Sequence, residues 1–293
     1  MKIYEERRLK LTENLSGDIA VIIPGSVLAN RSNDTAYPFR QDSNFYYLSG
    51  FNEPDSTLMI INKSGKTNSI GFVPKKDKLK EIWDGFRHGP EGMKSDFGFN
   101  DAFNNDEIDE LLPDLLDGVS CVYYPFGKVE GFDQKVIKWT KKANSKDRHS
   151  KKMEIADISK IIGNKRLIKD SSEINIIEKA CKISANAHLE AMKFVKPGMN
   201  EAEVEAFYLY EFAKNGGRFP AYNPIVASGE NACVLHYVEN NQVINDGDLL
   251  LVDAGCEYEM YASDITRTFP ANCKFSDEPV SYTHLTLPTT TPV

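Results

Sequence analysis

The stretch LLLVDAGCEYEMYASDITRTFP, residues 249–270, decides how the chain is read. Its first part, LLLVDAG, does not alternate apolar with polar residues, which predicts a strand buried on both faces. NDGD (245–248), directly before it, supplies a turn. The strand ends in Asp253, and a second carboxylate, Asp264, follows eleven residues later in YASDITRTF. If these two segments pair antiparallel, the carboxylates come within a few ångströms of each other. Two bare carboxylates ~4 Å apart repel by about 4 kcal/mol at an effective dielectric near 20, and desolvation adds to that. A shared proton, a basic partner such as Arg267, or a cation must offset the repulsion. Hard oxygen ligands suit Mg, Ca or Mn, and one carboxylate can bridge two metals while the other chelates one. In the structural alternative, Asp253 only caps a turn at Ala254-Gly255 and Asp264 pairs with Arg267. Spacing alone leaves both readings open.

His236 lies seventeen residues before Asp253, in ENACVLHYVENN, a β-like run with Val234, Leu235 and Val238 as neighbours. It is either a satisfied core histidine or a group facing the same pocket as the acids. In the second case it would orient a substrate or donate a hydrogen bond to a developing oxyanion.

Two punctuated helices precede this region. Asp170 with Glu173 forms a capping pair ahead of residues 174–195. There Ile174, Ile177, Cys181, Ser184, His188, Ala191 and Val195 are expected to make one buried stripe, stopped by Pro197-Gly198. Asn200 with Glu203 repeats the signature, Val204, Phe207, Tyr208 and Phe212 form the next stripe, and Gly216-Gly217 ends it. NPIVASG and ACVLHYV read as β segments, so this half is an α+β unit. In the first half, IAVIIPG, STLMIINKSG, SIGFVP and SCVYYPFG read as strands. YEERRLKLTENL, KLKEIWDGF, NDEIDELLPDLL and FDQKVIKWTKKA read as helices. Their alternation predicts an α/β domain with helices on a mixed sheet. The lysine-rich stretch at 141–152 is a candidate hinge, and the domain boundary is expected near residue 160.

At 293 residues, 41% hydrophobic and 27% charged, the chain has a globular profile with room for two domains. A net charge of −8 argues against nucleic-acid binding, because VPKKDKLK and KWTKKANSKDRHSKK read as solvated faces. No apolar run approaches the ~18 residues that span a membrane, and the charged start lacks a secretory core. Cys121, Cys181, Cys233, Cys256 and Cys273 have no C-x-x-C spacing and read as reduced, mostly buried thiols in a cytoplasmic protein.

Several longer motifs then resemble one family, the aminopeptidase P group of the pita-bread metallopeptidases. In the first half they are YPFRQDSNFYYLSGFNEPDS (37–56) and EIWDGFRHGPEG (81–92). In the second they are RLIKDSSEINIIEKACKISANAHLEAM (166–192), VKPGMNEAEVEA (195–206), AYNPIVASGENACVLHY (221–237) and the opening stretch. The resemblance implies an α/β N-terminal domain over 1–160 and, over 161–278, the first half of an α+β pita-bread (creatinase/aminopeptidase-like) catalytic domain. It implies a metal-dependent aminopeptidase acting on X-Pro peptides, with two divalent ions, usually Mn2+, activating a bridging water. Asp253 matches the aspartate chelating one metal, Asp264 the one bridging both, and His236 the histidine held beside the substrate. Tyr222 falls on a tyrosine of the substrate pocket. Trp83 falls in a segment that can reach a neighbouring subunit's site, and a homo-oligomer is expected.

The family supplies five metal ligands, and only the two aspartates are matched. After NCKFSDE the pattern gives way to PVSYTHLTLPTTTPV (279–293), a Thr/Pro-rich tail whose His284 is not read as a ligand. The chain is therefore expected to be a C-terminally truncated fragment without peptidase activity of its own. A proline dipeptidase shares fold and ligands and is the alternative enzyme. A non-catalytic pita-bread module binding peptides or partners is the alternative of another class. A creatinase-like amidinohydrolase fits less well, because it does not use the two aspartates.

Overall fold

The structure, a computed structural model, describes residues 2–145 and 152–275 and divides into two compact units, Met1–Ile168 and Lys169–Val293. The first unit is built on six strands: β1 (Ile19–Pro24), β2 (Thr57–Lys63), β3 (Lys66–Val73), β4 (Asp101–Asn104), β5 (Cys121–Tyr124) and β6 (Glu154–Asp157). They form one mixed sheet in the order β4-β3-β2-β1-β5-β6. β2 runs antiparallel to β1 and β3, whereas β1, β5 and β6 are parallel, as are β3 and β4.

Among the described residues this unit has seven α-helices: α1 (Lys2–Thr12), α2 (Ser43–Ser49), α3 (Lys78–Asp84), α4 (Gly89–Phe97), α5 (Ile108–Leu115), α6 (Phe132–Asn144) and α7 (Ser159–Leu167). Every residue of β1 is buried, and its side chains alternate between two cores, as the two-residue period of a strand requires. Ile19, Val21 and Ile23 pack with Leu11, Phe45, Met93 and Ile162 from α1, α2, α4 and α7. Ala20 and Ile22 pack with Leu112, Val136 and Trp139 from α5 and α6. The sheet thus carries helices on both faces.

The expected boundary moves. Lys141–Asn144 complete α6, residues 146–151 lie outside the described ones, and β6 then joins β5 in the same sheet. α7 belongs here too, because Ile158 and Ile162 are buried in the first core and Arg166 Nη1 donates to Asn44 Oδ1 at 2.5 Å. The units divide at Ile168/Lys169, after α7.

The second unit contains α8 (Ser171–Phe194), α9 (Glu201–Lys214), β7 (Phe219–Pro220), β8 (Ile225–Ser228), β9 (Leu249–Asp253), β10 (Cys256–Tyr258), β11 (Tyr261–Ala262) and β12 (Thr266–Pro270). Both helices open with reciprocal capping boxes, Asp170 with Glu173 and Asn200 with Glu203. The strands form two small antiparallel sheets, β12-β9-β8 and β11-β10-β7.

Three expectations change here. The buried stripe of α8 is rotated: Ala180, Ile183 and Ala187 join Ser184, His188 and Ala191, while Ile174 and Cys181 are exposed. β9 is not buried on both faces. Leu250 and Val252 enter the helix-facing core, and Leu249, Leu251 and Asp253 on the other face are only half-buried. ACVLHYV is not a strand but a 3-10 helix, Gly229–Cys233, followed by a turn. Of the five cysteines, all free, Cys256 alone is buried and Cys181, Cys233 and Cys273 are exposed. No described helix is long and apolar enough to cross a membrane. The tail at 279–293, with His284, lies outside the described residues.

Candidate metal centre

The site forms where β9 ends. β9 pairs antiparallel with β12, placing Asp253 opposite Thr266, and with β8, placing Asp253 opposite Ile225. Asp264 sits two residues before β12 in a connecting segment, so the pairing of 249–253 with 266–270 brings it back beside Asp253. The connection is pinned from α8. Ser184 Oγ lies 2.8 Å from Ser263 Oγ, and the Cys256 amide donates to both hydroxyls at 2.9 and 3.1 Å.

Tyr222 joins the two acids. Its hydroxyl donates to Asp253 Oδ1 at 2.5 Å and lies 3.1 Å from Asp264 Oδ1. One hydroxyl has one proton to give, so two carboxylates compete for it. The Tyr222 pKa is raised, by burial first and then by the bond to and charge of Asp253 and Asp264. The structural alternative fails on contacts. Arg267 donates to the Thr266 carbonyl at 2.7 Å and pairs with neither acid, and Tyr222 is the one hydrogen-bond partner of either carboxylate among the described residues.

A cleft of about 350 Å³ opens over this group, lined by Tyr222, Ile225, His236, Val238 and both aspartates. His236 is exposed on the turn after the 3-10 helix. Its neighbour Tyr237 is buried and donates to Glu201 Oε2 at 2.7 Å. Asn240, held at φ +45° and buried, donates to Pro224 O and Glu205 Oε2 and accepts from the Val226 amide, each at 2.9 Å. Two buried polar side chains thus fix the loop that presents His236. Trp83 belongs to the first unit, on α3, and is 88% exposed.

Two residues gain roles that sequence reading did not mark. His188, read as part of a stripe, packs beneath the backbone next to Asp253. Tyr208 Oη lies 2.9 Å from its Nδ1 and Ala254 O lies 3.2 Å from its Nε2. A hydroxyl donating to Nδ1 leaves Nε2 to donate to the carbonyl, which is the neutral ring; burial lowers its pKa accordingly. Glu201 reads as an ordinary acid in a first helical turn but is fully buried at the base of the His236 loop.

The donor set fits a hard divalent cation: two carboxylates, no cationic partner, and a single proton between them. Among the described residues no group of three or more His, Cys, Asp or Glu side chains could hold a metal ion, so two carboxylates are what this site offers a cation.

With this geometry in view, comparison with known proteins gives a consistent result. Residues 4–123 match the aminopeptidase P N-terminal domain, and residues 175–286 match metallopeptidase family M24. An Xaa-Pro aminopeptidase of Haemophilus influenzae is 39% identical over 273 residues, which is 93% of this chain and 61% of the relative. The solved proline aminopeptidase P II of Yersinia pestis superposes with a TM-score of 0.90 at 40% identity, over 94% of this chain and 64% of that one. Zn-substituted Escherichia coli aminopeptidase P in complex with product superposes at 0.91 with 38% identity, over 94% and 63%. The chain thus spans under two thirds of the length of these relatives, and the pita-bread domain is covered in part.

Proposed function

From a chain that carries an aminopeptidase P N-terminal domain and part of an M24 metallopeptidase domain, we propose a metal-dependent aminopeptidase that releases the amino-terminal residue from X-Pro peptides. The observation that carries this reading is the Asp253–Asp264 pair, two carboxylates converging on one hydroxyl with no cation of the protein beside them. Asp253 would hold one divalent ion and Asp264 both, manganese in this reading. When bound, such ions offset the paired negative charge, polarise a carbonyl and acidify water. Tyr222 keeps a proton between the carboxylates and walls the cleft that takes the peptide. His236, exposed at the cleft on an anchored loop, would hydrogen-bond a substrate carbonyl in this reading. The cytoplasm goes with this reading, on the charged composition and five unbonded cysteines.

The test is Mn2+ binding by residues 1–293, followed by the loss of the free-ion EPR signal. Weak binding is expected, and Asp253→Asn or Asp264→Asn should weaken it on the order of tenfold or more. Binding that ignores both substitutions sinks the proposal. With two ligand side chains among the described residues, this chain alone is expected not to turn over an X-Pro-Y tripeptide. Chelator-sensitive turnover would overturn that expectation.

Trp83 belongs to the same proposal as a substrate-side residue offered to a second copy of the chain. α3 buries none of its residues and exposes Leu79, Ile82 and Trp83, with Phe86 just after it, an apolar patch suited to a protein surface. Trp83→Ala should shift the sedimentation mass toward monomer while changing stability by less than about 0.5 kcal/mol. An unaltered oligomer distribution would count against the patch as an interface.

A further inference from the structure

The first unit holds a cavity of about 350 Å³ that the peptidase reading does not use. Its position follows from topology. β1 and β5 are adjacent and parallel, with Ile19 opposite Cys121 and Val21 opposite Tyr123. Beyond the carboxyl end of β1 the chain goes to α2, whose Phe45 and Leu48 pack on one face of the sheet. Beyond the carboxyl end of β5 it goes to α6, whose Val136 and Trp139 pack on the other. Neighbouring parallel strands whose connections leave to opposite faces open a crevice between them, the place where open α/β sheets bind ligands. The cavity opens at that end of the sheet, with Gly25 and Val27 after β1, Asp55, Ser56 and Thr57 at the start of β2 and Asn105 after β4 on one side, and residues after β5 and on α6 on the other.

The lining has two chemical parts. Phe132 and Trp139 are buried, stand edge to face at 5.7 Å, and form an apolar floor. The indole nitrogen is already satisfied, since Trp139 Nε1 donates to Asp109 Oδ1 at 2.7 Å, so this floor asks for an apolar group. The mouth carries Asp55, Glu130 and Lys135, exposed side chains with no hydrogen bond or ion pair among the described residues. Asp55 is fixed through its main chain: its amide donates to Ser26 O and its carbonyl accepts from Asn105 Nδ2, each at 3.0 Å. A purely anionic ligand would meet two carboxylates, and a purely cationic one would meet Lys135. A small zwitterion with an apolar body satisfies both ends and the floor. The volume sits at the low end of small-molecule sites, which suits a single amino acid.

We propose that this cavity binds a free α-amino acid with an apolar side chain, its carboxylate on Lys135, its ammonium on Glu130 and Asp55, and its side chain on Phe132 and Trp139. The site uses residues of the first unit alone and does not rest on the peptidase reading.

Trp139 reports on it directly. The chain has two tryptophans, so Trp83→Phe leaves Trp139 as the sole indole emitter. L-Leucine titrated into this variant should change its emission saturably, with half-saturation below about 1 mM. N-acetyl-leucine, lacking the cation, and leucinamide, lacking the anion, should each bind at least tenfold more weakly. Lys135→Ala and Glu130→Ala, both at exposed positions that leave the core untouched, should each weaken leucine at least tenfold, and Asp253→Asn should not. The proposal is overturned by no saturable change into the millimolar range, by equal affinity for the three compounds, or by a signal lost with Asp253→Asn but kept with Lys135→Ala.

Discussion

Replacing Gly255 by alanine should cost the second unit about 4 kcal/mol or more, seen as a collapse of the urea midpoint or as failure to accumulate folded protein. An ideal Cβ built on Gly255 would stand 1.9 Å from the Ser263 carbonyl oxygen, 2.5 Å from its carbonyl carbon and 3.1 Å from the Asp264 nitrogen. These are backbone atoms and cannot rotate aside. Nor can the two segments slide apart. The Ser263 amide donates to Cys256 O at 3.0 Å, the Ala254 amide to Ile265 O at 3.2 Å, and the Ala221 amide to Gly255 O at 2.8 Å. Ser184 closes the same turn from α8 through Ser263 Oγ. Ordinary overpacking costs about 1–3 kcal/mol because side chains yield, and here none is available to yield. The glycine is required for close approach, not for a left-handed backbone. That approach also sets the separation of Asp253 and Asp264, since the clash falls between the residues that follow one and precede the other. Any folded Gly255→Ala protein should therefore bind Mn2+ more weakly than the parent. A variant within about 1 kcal/mol of the parent would show that the turn is looser than this geometry.

Which parts of this arrangement are legible in the sequence follows from where the information resides. β1, β2, β3 and β5 each carry a short apolar or aromatic run (IAVII, LMII, IGFV and CVYY) with Gly or Pro soon after, and α8 and α9 open on capping boxes, so local chemistry marks them. β4 (DAFN) and β6 (EIAD) are four-residue edge strands with little apolar pattern, and they exist because β3 and β5 offer free edges. α2 and α4 are short and held by tertiary contacts, Phe45 and Leu48 in one case and Met93 in the other. Val234, Leu235, His236 and Val238 read as a strand, yet all four are exposed, because no edge receives them and buried Tyr237 is anchored elsewhere. β9 misleads in the opposite way. Three leucines suggest burial on both faces, but the described chain covers the Leu249–Leu251–Asp253 face only in part. The approach of Asp253 and Asp264 is legible because antiparallel pairing of two neighbouring runs leaves them little choice. The hydroxyl between them is not, since Tyr222 lies 31 residues from Asp253 and nothing local assigns it there.

Glu201 is the other residue whose loss should be severe. Its Oε1 accepts from the Ser228 amide at 2.8 Å, Ser228 Oγ at 2.7 Å and Asn231 Nδ2 at 3.1 Å. Its Oε2 accepts from Tyr237 Oη at 2.7 Å and the Gln242 amide at 3.0 Å. One buried carboxylate therefore ties the start of α9 to the end of β8, the 3-10 helix and both sides of the His236 loop. Glu201→Ala strands several buried donors at about 1–3 kcal/mol apiece before relaxation, so a net loss of about 4 kcal/mol is expected at neutral pH. Glu201→Gln keeps the shape but turns an –NH2 toward donors, and about 2 kcal/mol is expected. The acid dependence separates this role from simple packing. Burial pushes the Glu201 pKa up, but the bonds from Ser228, Tyr237 and Gln242 outweigh it and leave it below the ordinary 4.5. A carboxyl depressed on folding contributes stability that is present above the unfolded value and is lost as pH falls through the folded one. The parent should therefore lose stability from about pH 4.5 downward, and Glu201→Gln should lose less over that range because the titrating group is gone. Amide exchange in residues 237–242 should accelerate in the same variant at neutral pH, since the loop loses its anchor while α8 keeps its own. A Glu201→Gln protein with the parent's midpoint and acid slope would mean that the His236 loop is held by Asn240 alone.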